Sequence, residues 1–290
     1  MLDNALTRSG RFDKHIPIEL PNKKDRTGIL KVHFKNKKLD PNINIEDIAE
    51  ITTGFSGADI ATLANESAII ASVKNHENIT LEDIDEAYIK TAMKSNPKKD
   101  LSRNAKETET IAYHEAGHAL VAKLFGNDVH KVTIIGTTSG AGGFTATTNE
   151  QEGLFSKEDF EREIKIMLGG RAAEFLLFNR NEEKITMGAV NDIERSSQVI
   201  NSMIRKFGML IKSDVEVDGE KLSMYAPFKV DDEIKNEEIY ELGKKISTEL
   251  YLETIKILED NIGLLHTIAK ELISKETLSR EEIDSIFDNK

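Results

Sequence analysis

Cysteine is absent from this chain of 290 residues. The protein therefore has no disulfide bond, no catalytic thiolate and no cysteine-ligated metal site. Any metal that it binds must be held by histidine, aspartate or glutamate. Proline is scarce as well, with five residues, whereas 39% of the chain is hydrophobic. This composition excludes a collagen-like chain and a wholly disordered one.

Long apolar runs are also missing. No stretch approaches the roughly 20 residues that a membrane-spanning helix needs, and the first residues do not resemble a signal peptide. The formal net charge is −12, from 39 basic and 51 acidic residues. Because non-specific nucleic-acid binding requires a basic surface, this charge argues against a nucleic-acid partner. We expect the chain as given to be soluble.

The length favours two domains, at roughly 100–200 residues per domain. Capping boxes and apolar periodicity predict helices in the first third of the chain. Ahead of them, residues 16–20 (IPIEL) predict a short strand. The polar, non-periodic stretch around Pro97 is the best linker. We divide the chain into four segments, 1–21, 22–95, 96–106 and 107–290.

The last segment opens with a predicted helix over about 107–125. Two β-branched stretches follow, Val132–Ile135 and Phe144–Thr148, and a glycine-rich loop separates them. Everything after residue 155 has helical periodicity. The predicted fold class is mainly α with a small β element.

A metal-ligand motif lies within the helix at 107–125. His114 and His118 are four residues apart, which places both imidazoles on one face of the helix, where they can share one cation. Glu115 points about 100° away from His114, so it can reach a zinc-bound water and act as general base in peptide hydrolysis. The alternative is a hydrogen-bonded pair of core histidines.

Zinc needs a third protein ligand, which leaves its fourth position for water. The three-histidine form of the motif is excluded, because Val121 and Leu124 stand where it requires glycine and histidine. Asp192 is the favoured carboxylate, since it opens a helix whose dipole keeps it ionised. The alternative for Asp192 is an ordinary N-cap.

Several motifs, in this order, resemble the FtsH family of membrane-anchored AAA+ zinc proteases. Two motifs in the first part of the chain resemble the second region of homology and the helical lid of AAA ATPases. The motifs are LTRSGRFDKHI (Leu6–Ile16), GFSGADIATLANESA (Gly54–Ala68), YHEAGHALVA (Tyr113–Ala122), HKVTII (His130–Ile135), GGRAAE (Gly169–Glu174) and GAVNDIERSS (Gly188–Ser197).

The resemblance implies a fold, a cofactor and a ligand set. Segment 1–21 becomes the C-terminal edge of the AAA+ α/β subdomain, 22–95 the helical lid, and 107–290 a mostly helical zinc-peptidase domain. One zinc ion per chain is implied, with the ligands and general base at the positions of the family motifs, namely His114, His118, Asp192 and Glu115.

Glu174 lies in a family motif, and the resemblance implies that it orients a ligand histidine from outside the metal shell. The alternative is a solvated glutamate or one paired with Arg171. The sequence departs from the family at Phe175, where a second glutamate is common, and at Met187, which replaces a small or hydroxyl residue.

The stretch Gly142–Thr148 resembles the family's edge strand beside the active site. An edge strand can add an extended substrate through backbone hydrogen bonds, and Gly142, Gly143, Phe144 and Thr145 are the residues expected to contact it. The alternative is a plain hairpin strand.

In the first segment, Arg8 and Arg11 match the family's arginine fingers, which stabilise phosphoryl charge in a neighbouring subunit. Gly57 and Ala58 match lid residues near the nucleotide. The chain has no phosphate-binding G-x-x-x-x-G-K-[ST] motif. ATP and Mg²⁺ are therefore expected in the full-length protein only.

The predicted function is that of an ATP-dependent zinc metalloendopeptidase that degrades unfolded or membrane proteins. The resemblance implies polypeptide substrates, a homohexamer, and a membrane anchor upstream of this sequence. The full-length protein would then carry this part on the cytoplasmic side of a bacterial inner membrane or an organelle equivalent. Two alternatives are a non-catalytic assembly module and an ATPase-regulatory fragment.

Overall fold

The structure is a computed structural model, which describes residues 18–96, 103–138, 140–148, 154–210, 216–217, 220–221 and 233–288. Contacts divide the chain into two compact units, Met1–Ser95 and Asn96–Lys290. Among the described residues, the first unit is helical, and the second adds a small sheet to its helices. The predicted fold class, mainly α with a small β element, is confirmed.

Four helices form the described part of the first unit. Each begins after an asparagine, serine or threonine whose side chain accepts a hydrogen bond from a backbone N–H of the first turn. Fully buried aliphatic side chains, such as Leu30, Ile60 and Ile84, join these helices into one core. The helices are α1 (Lys23–Phe34), α2 (Ile45–Ile51), α3 (Gly57–Val73) and α4 (Leu81–Ala92).

Six helices and five short strands are described in the second unit. The helices are α5 (Ala105–Leu124), α6 (Lys157–Leu177), α7 (Val190–Arg205), α8 (Glu233–Asp260), α9 (Ile262–Lys275) and α10 (Arg280–Asp288). The strands are β1 (Asp128–Thr133), β2 (Phe144–Thr148), β3 (Glu216–Val217), β4 (Glu220–Lys221) and β5 (Thr277–Ser279). In the described ranges, no helix combines the length and apolar character needed to cross a bilayer.

The main sheet has the strand order β2-β1-β5, and both pairings are antiparallel. The pairing of β1 with β2 shifts register between Val129 and Lys131, where the ladder has an irregularity of the β-bulge kind. Since β1 lies in the middle, β2 is an edge strand of this sheet. Its outer side has no neighbouring strand among the described residues.

The prediction that everything after residue 155 is helical is wrong at β5 and at the β3–β4 hairpin. Helix α9 ends at Lys275, and the next residue, Glu276, has a left-handed φ of 62°. The chain turns there and then pairs with β1. Three residues are too few to show a period of two, so sequence periodicity could not reveal β5. The prediction of a strand at 16–20 is also wrong for the residues that the structure describes, because residues 18–20 are not in a strand.

Helix α5 is at the centre of the second unit and packs against α6, α9 and the sheet. It begins after Asn104, which forms a reciprocal capping box with Glu107. Apolar residues surround the helix in its second half, where Ala116, Leu120 and Val121 are fully buried. A helix that is apolar on all sides must be covered on all sides. His114 and Glu115, which lie in this buried part of the helix, are therefore held in a mostly water-free environment.

Candidate metal centre

The two motif histidines lie on one face of α5, as the spacing of four predicts. Their ring centroids are 4.8 Å apart, and the two Nε2 atoms approach to 3.1 Å. His114 is 9% exposed. Both Nε2 atoms are directed at the same point, so the pair offers two nitrogen ligands for one cation.

Helix α6 crosses α5 at a pair of glycines. A Cβ atom added at Gly117 would lie 2.3 Å from the carbonyl oxygen of Gly169, and one added at Gly169 would lie 2.8 Å from the carbonyl oxygen of Gly117. Real Cβ contacts are never this short, so the two backbones can approach so closely only because both positions lack a side chain. The crossing brings α6 to the metal-ligand face of α5.

The next residue of α6, Gly170, leaves the space in front of the histidines open. A Cβ atom added there would lie 2.5 Å from Nε2 of both His114 and His118. A methyl group at position 170 would therefore occupy the point at which the two nitrogens converge. The glycine keeps this point available for a ligand of the histidines.

The remaining ring nitrogens are held by acceptors on α6. Nδ1 of His114 is 2.8 Å from Oε1 of Glu174, and Nδ1 of His118 is 2.7 Å from the carbonyl oxygen of Ile166. Oε2 of Glu174 accepts two hydrogen bonds of 2.9 Å from the backbone N–H and the hydroxyl of Thr186. Because each Nδ1 donates a proton, Nε2 is the nitrogen that each ring can offer to a cation at the centre.

Glu174 is 1% exposed. The solvated alternative for this residue is therefore wrong, and its position beside a ligand histidine agrees with the predicted orienting role.

Asp192 supplies the third converging atom. Its Oδ2 lies 3.4 Å from Nε2 of His114 and 3.4 Å from Nε2 of His118. Helix α7 begins at Val190, two residues earlier than predicted, so Asp192 is the third residue of the helix. The N-cap alternative is wrong, because Ala189 occupies that position. Within the first turn, the helix dipole still favours a negative charge.

The three side chains match a zinc ion in type and in spacing. Their ligand atoms lie within 4.8 Å of one another. Metal–ligand distances of about 2.0–2.1 Å in a tetrahedron place neighbouring ligands about 3.3 Å apart, and the pairs here are separated by 3.1, 3.4 and 3.4 Å. Two imidazoles and one carboxylate leave a fourth position, as in a catalytic zinc site.

Charge in the centre is mutually stabilised. Burial alone would lower the pKa of His114, but hydrogen bonds with Asp192 and Glu174 raise it to about 10. Burial would raise the pKa of Asp192, whereas its contacts with the two histidines hold that pKa far below the usual value. Burial would raise the pKa of Glu174, but its contacts with His114 and Thr186 together lower it. Both carboxylates are thus ionised at neutral pH, which suits them to a site for a cation.

Glu115 lies beside this cluster, on the face of α5 turned towards the sheet. It is 6% exposed. The hydroxyl of Thr145 on β2 donates a hydrogen bond of 2.7 Å to Oε2 of Glu115. A Cβ atom added at Gly143 would lie 2.7 Å from Oε1 and Cγ of Glu115, so the chain passes directly against the carboxylate. The predicted general base and the predicted edge strand are neighbours in space.

Comparison with known proteins identifies the family. The profile of peptidase family M41 matches residues 101–286. This chain belongs to peptidase family M41. The profile of the AAA+ lid domain matches residues 42–86, so the M41 unit follows a lid. The predicted membership in a family of AAA+ zinc proteases is confirmed.

Curated relatives of this M41 protein carry the name ATP-dependent zinc metalloprotease FtsH. One from Clostridium perfringens is 40% identical, over 99% of this chain and 40% of the relative. Another, FtsH 1 from Thermoanaerobacter sp. (strain X514), is 38% identical, over 99% of this chain and 48% of the relative. The chain thus spans less than half the length of these relatives. Zinc is the metal that the family implies, and His114, His118 and Asp192 are the residues that fit it.

The remaining predicted site residues lie elsewhere. Arg8 and Arg11 fall outside the described residues. Gly57 and Ala58 form the first turn of α3 in the lid unit, after the capping box of Ser56 with Asp59. Their predicted contact with a nucleotide stays a prediction. Gly142 and Gly143 immediately precede β2, and Phe144 and Thr145 are its first two residues.

The sequence alone did not reveal four contributors to the M41 site. They are Ile166, whose carbonyl orients His118, Gly170, which keeps the centre open, Thr186, which binds Glu174, and Arg103, which binds the segment before β2. Of these four residues, only Gly170 could have been suspected from the sequence, because a pair of glycines inside a helical pattern indicates close packing. The other three act through backbone atoms or across long sequence separations.

Proposed function

We propose that this chain carries the active site of a zinc metalloendopeptidase. His114, His118 and Asp192 would hold the ion, and Glu115 would be the general base. One observation carries the proposal. The Nε2 atoms of His114 and His118 and one carboxylate oxygen of Asp192 converge at tetrahedral spacing. The buried carboxylate of Glu115 lies next to His114 on the same helix.

A bound zinc ion would supply Lewis-acid chemistry, polarising water and the substrate carbonyl. The residues of the chain handle the proton. Glu115 takes a proton from the attacking water and passes it to the leaving amine. Thr145 donates to one carboxylate oxygen of Glu115 and so fixes its orientation. The apolar surroundings of α5 restrict other water.

The substrate would be an extended polypeptide. The outer side of β2 has no neighbouring strand in the part of the chain that the structure describes, and Gly142, Gly143, Phe144 and Thr145 lie at the end of the strand nearest Glu115. A strand added to this edge would be bound through backbone hydrogen bonds, whatever its sequence. This supports a protease of broad specificity that acts on unfolded or membrane proteins.

The relatives' name and the lid support a further step. We infer that the whole protein is ATP-dependent and works as a homohexamer, anchored to a membrane with this part on the cytoplasmic side. Arg8 and Arg11 would act on ATP in the neighbouring subunit, and Gly57 and Ala58 would approach the nucleotide. A non-catalytic assembly module or a purely regulatory fragment would have no need of the converging ligands, so the site favours the enzyme.

The test is Glu115→Gln in the zinc-loaded chain, with casein as substrate. Glutamine keeps the shape of the side chain but cannot accept the proton, so we expect kcat to fall by about 10²–10⁴-fold. Zinc should stay near one ion per chain. The matched control is Glu109→Gln, since Glu109 is an exposed residue of the same helix. Unchanged casein degradation by the Glu115 variant would contradict the proposal.

A further inference from the structure

The ladder between β1 and β2 ends at the pair Thr133 and Phe144. Beyond this pair, the segment that follows β1 and the segment that precedes β2 each present a carbonyl group to the same side chain. The guanidinium of Arg103 donates from Nη1 to the carbonyl of Ile134 and from Nη2 to the carbonyl of Gly142, the latter at 2.7 Å. Arg103 thus bridges the two ends of the loop that connects the strands.

Two carbonyl groups cannot hydrogen-bond to each other, so the ladder cannot continue here by itself. A guanidinium is planar and carries five N–H donors in a fixed fork, which allows it to bridge two acceptors in one geometry. An ammonium group is a point charge on a flexible stem and does not fix two acceptors in this way. Arg103 therefore adds a side-chain link where the backbone ladder stops.

The bridged segment lies against the proposed general base. A Cβ atom at Gly142 would lie 3.1 Å from Cδ1 of Ile111, and one at Gly143 would lie 2.7 Å from Oε1 of Glu115. Two residues further on, Thr145 donates to the same carboxylate. A shift of the start of β2 would therefore move every contact between the edge strand and Glu115.

Other hydrogen bonds hold the middle of the loop. The N–H of Thr138 donates to the carbonyl of Asn96 at 3.0 Å, and the N–H of Thr137 donates to the carbonyl of Ala141 at 2.9 Å. These bonds shape the loop, and Arg103 adds a link between its two ends. The guanidinium therefore holds Gly142 in place relative to β1 together with the backbone hydrogen bond between Thr137 and Ala141.

We propose that Arg103 is a positioning residue for peptide hydrolysis. It fixes the start of β2 against Glu115, so that a polypeptide strand added along the outer edge of β2 is presented to the base in the correct register. This inference rests on the proposed function. A displacement of about 1 Å in such an arrangement is enough to lower the rate about 10²-fold.

The experiment compares Arg103→Ala and Arg103→Lys with a matched control, Arg280→Ala. Arg280 binds Asp128 at 2.9 Å, at the opposite end of the same ladder. Three quantities are measured on the full 290-residue chain. They are amide hydrogen exchange of a peptide covering 140–148, zinc per chain, and kcat and KM for an extended fluorogenic peptide.

For Arg103→Ala we expect the 140–148 peptide to exchange at least about tenfold faster, with α5 unchanged, and KM to rise about tenfold, because the edge that binds substrate loses its fixed position. Zinc content should stay the same. A smaller amount of folded protein would lower kcat at constant KM, so the rise in KM separates positioning from stability. Arg103→Lys should fall between the wild type and the alanine variant.

The proposal is overturned if KM and exchange stay at the wild-type values in Arg103→Ala, if Arg280→Ala causes the same changes, or if the lysine variant is equal to the wild type. A wild-type chain that holds zinc and hydrolyses no peptide would contradict the proposed function itself. An active wild type with an unaltered Arg103→Ala variant would contradict only the role of Arg103.

Discussion

Each of the two units contains a histidine paired with a buried carboxylate, and the two pairs have nearly the same geometry. In the first unit, Nδ1 of His76 lies 2.9 Å from Oδ2 of Asp83, and in the second, Nδ1 of His114 lies 2.8 Å from Oε1 of Glu174. Asp83 is 0% exposed and Glu174 is 1% exposed. The distance and the burial of the carboxylate alone do not distinguish the two pairs.

The surroundings of the two pairs differ. Oδ2 of Asp83 also accepts the N–H and the hydroxyl of Thr80 at the start of α4, and Lys74 lies 3.3 Å from its other oxygen. In the second unit, the other nitrogen of His114 faces a second histidine and a second carboxylate. A histidine–carboxylate pair therefore indicates a metal site only when the second ring nitrogen meets further ligands.

The sharpest test of this difference removes each histidine in turn. We expect His114→Ala to lower zinc from about one ion per chain to nearly none, with peptide hydrolysis lost, because two ligands do not hold zinc in a catalytic site. His76→Ala should leave both unchanged. Metal analysis of the purified variants measures the effect. A His114 variant that keeps its zinc would remove the distinction between the pairs.

A smaller effect is expected when each carboxylate is neutralised. Glu174→Gln keeps the shape of the side chain but weakens the hold on His114, so zinc affinity should fall about 10–100-fold. Hydrolysis should recover when zinc is in excess. Asp83→Asn serves as the matched control and should leave zinc affinity unchanged. Competition with a chromophoric chelator gives both affinities, and equal affinities for the wild type and the Glu174 variant would contradict the role of Glu174.

The smallest effect concerns the stability of the first unit at low pH. Burial would raise the pKa of Asp83, but hydrogen bonds from His76, Thr80 and Lys74 lower it to about 2. Because the pKa of Asp83 is lower in the folded state than its value of 3.8 in the unfolded chain, the ionised carboxylate stabilises the folded state above pH 3.8. This stabilisation is lost as the pH falls from about 4 to 2. We expect a loss of about 2 kcal/mol in the free energy of unfolding.

Hydrogen exchange of α4 across this pH range measures that loss. Lys74 also binds Glu82 and Glu86 at 2.9 and 3.2 Å, so these carboxylates could contribute to the pH dependence as well. The matched control is Asp83→Asn, because it removes only the carboxylate of Asp83. The variant should be less stable at neutral pH and should lack the step between pH 4 and 2. An identical step in the variant would assign the pH dependence to other carboxylates.

Most of the helical architecture could be predicted because its signals are local. Capping boxes form at Ser56, Ser156 and Ser279, each between the serine and an acidic residue three positions later. Helix α5 begins at Ala105, two residues before the predicted start. These signals act within one helical turn, so neighbouring residues carry all the information. Strand β5 was missed for the opposite reason, since a three-residue strand forms only through its partner β1.

By itself, the sequence determined the motif of the site. The spacing of His114 and His118 places two imidazoles on one face wherever that helix lies, and the absence of cysteine limits the ligands to nitrogen and oxygen. Only the tertiary structure decided how the expected carboxylates, Asp192 and Glu174, meet the histidines and how Glu115 is held. Asp192, Glu174 and Arg103 reach their partners from separate segments of the chain, and the glycines at the α5–α6 crossing set the distance. Such contacts depend on how the helices pack, which no local pattern contains.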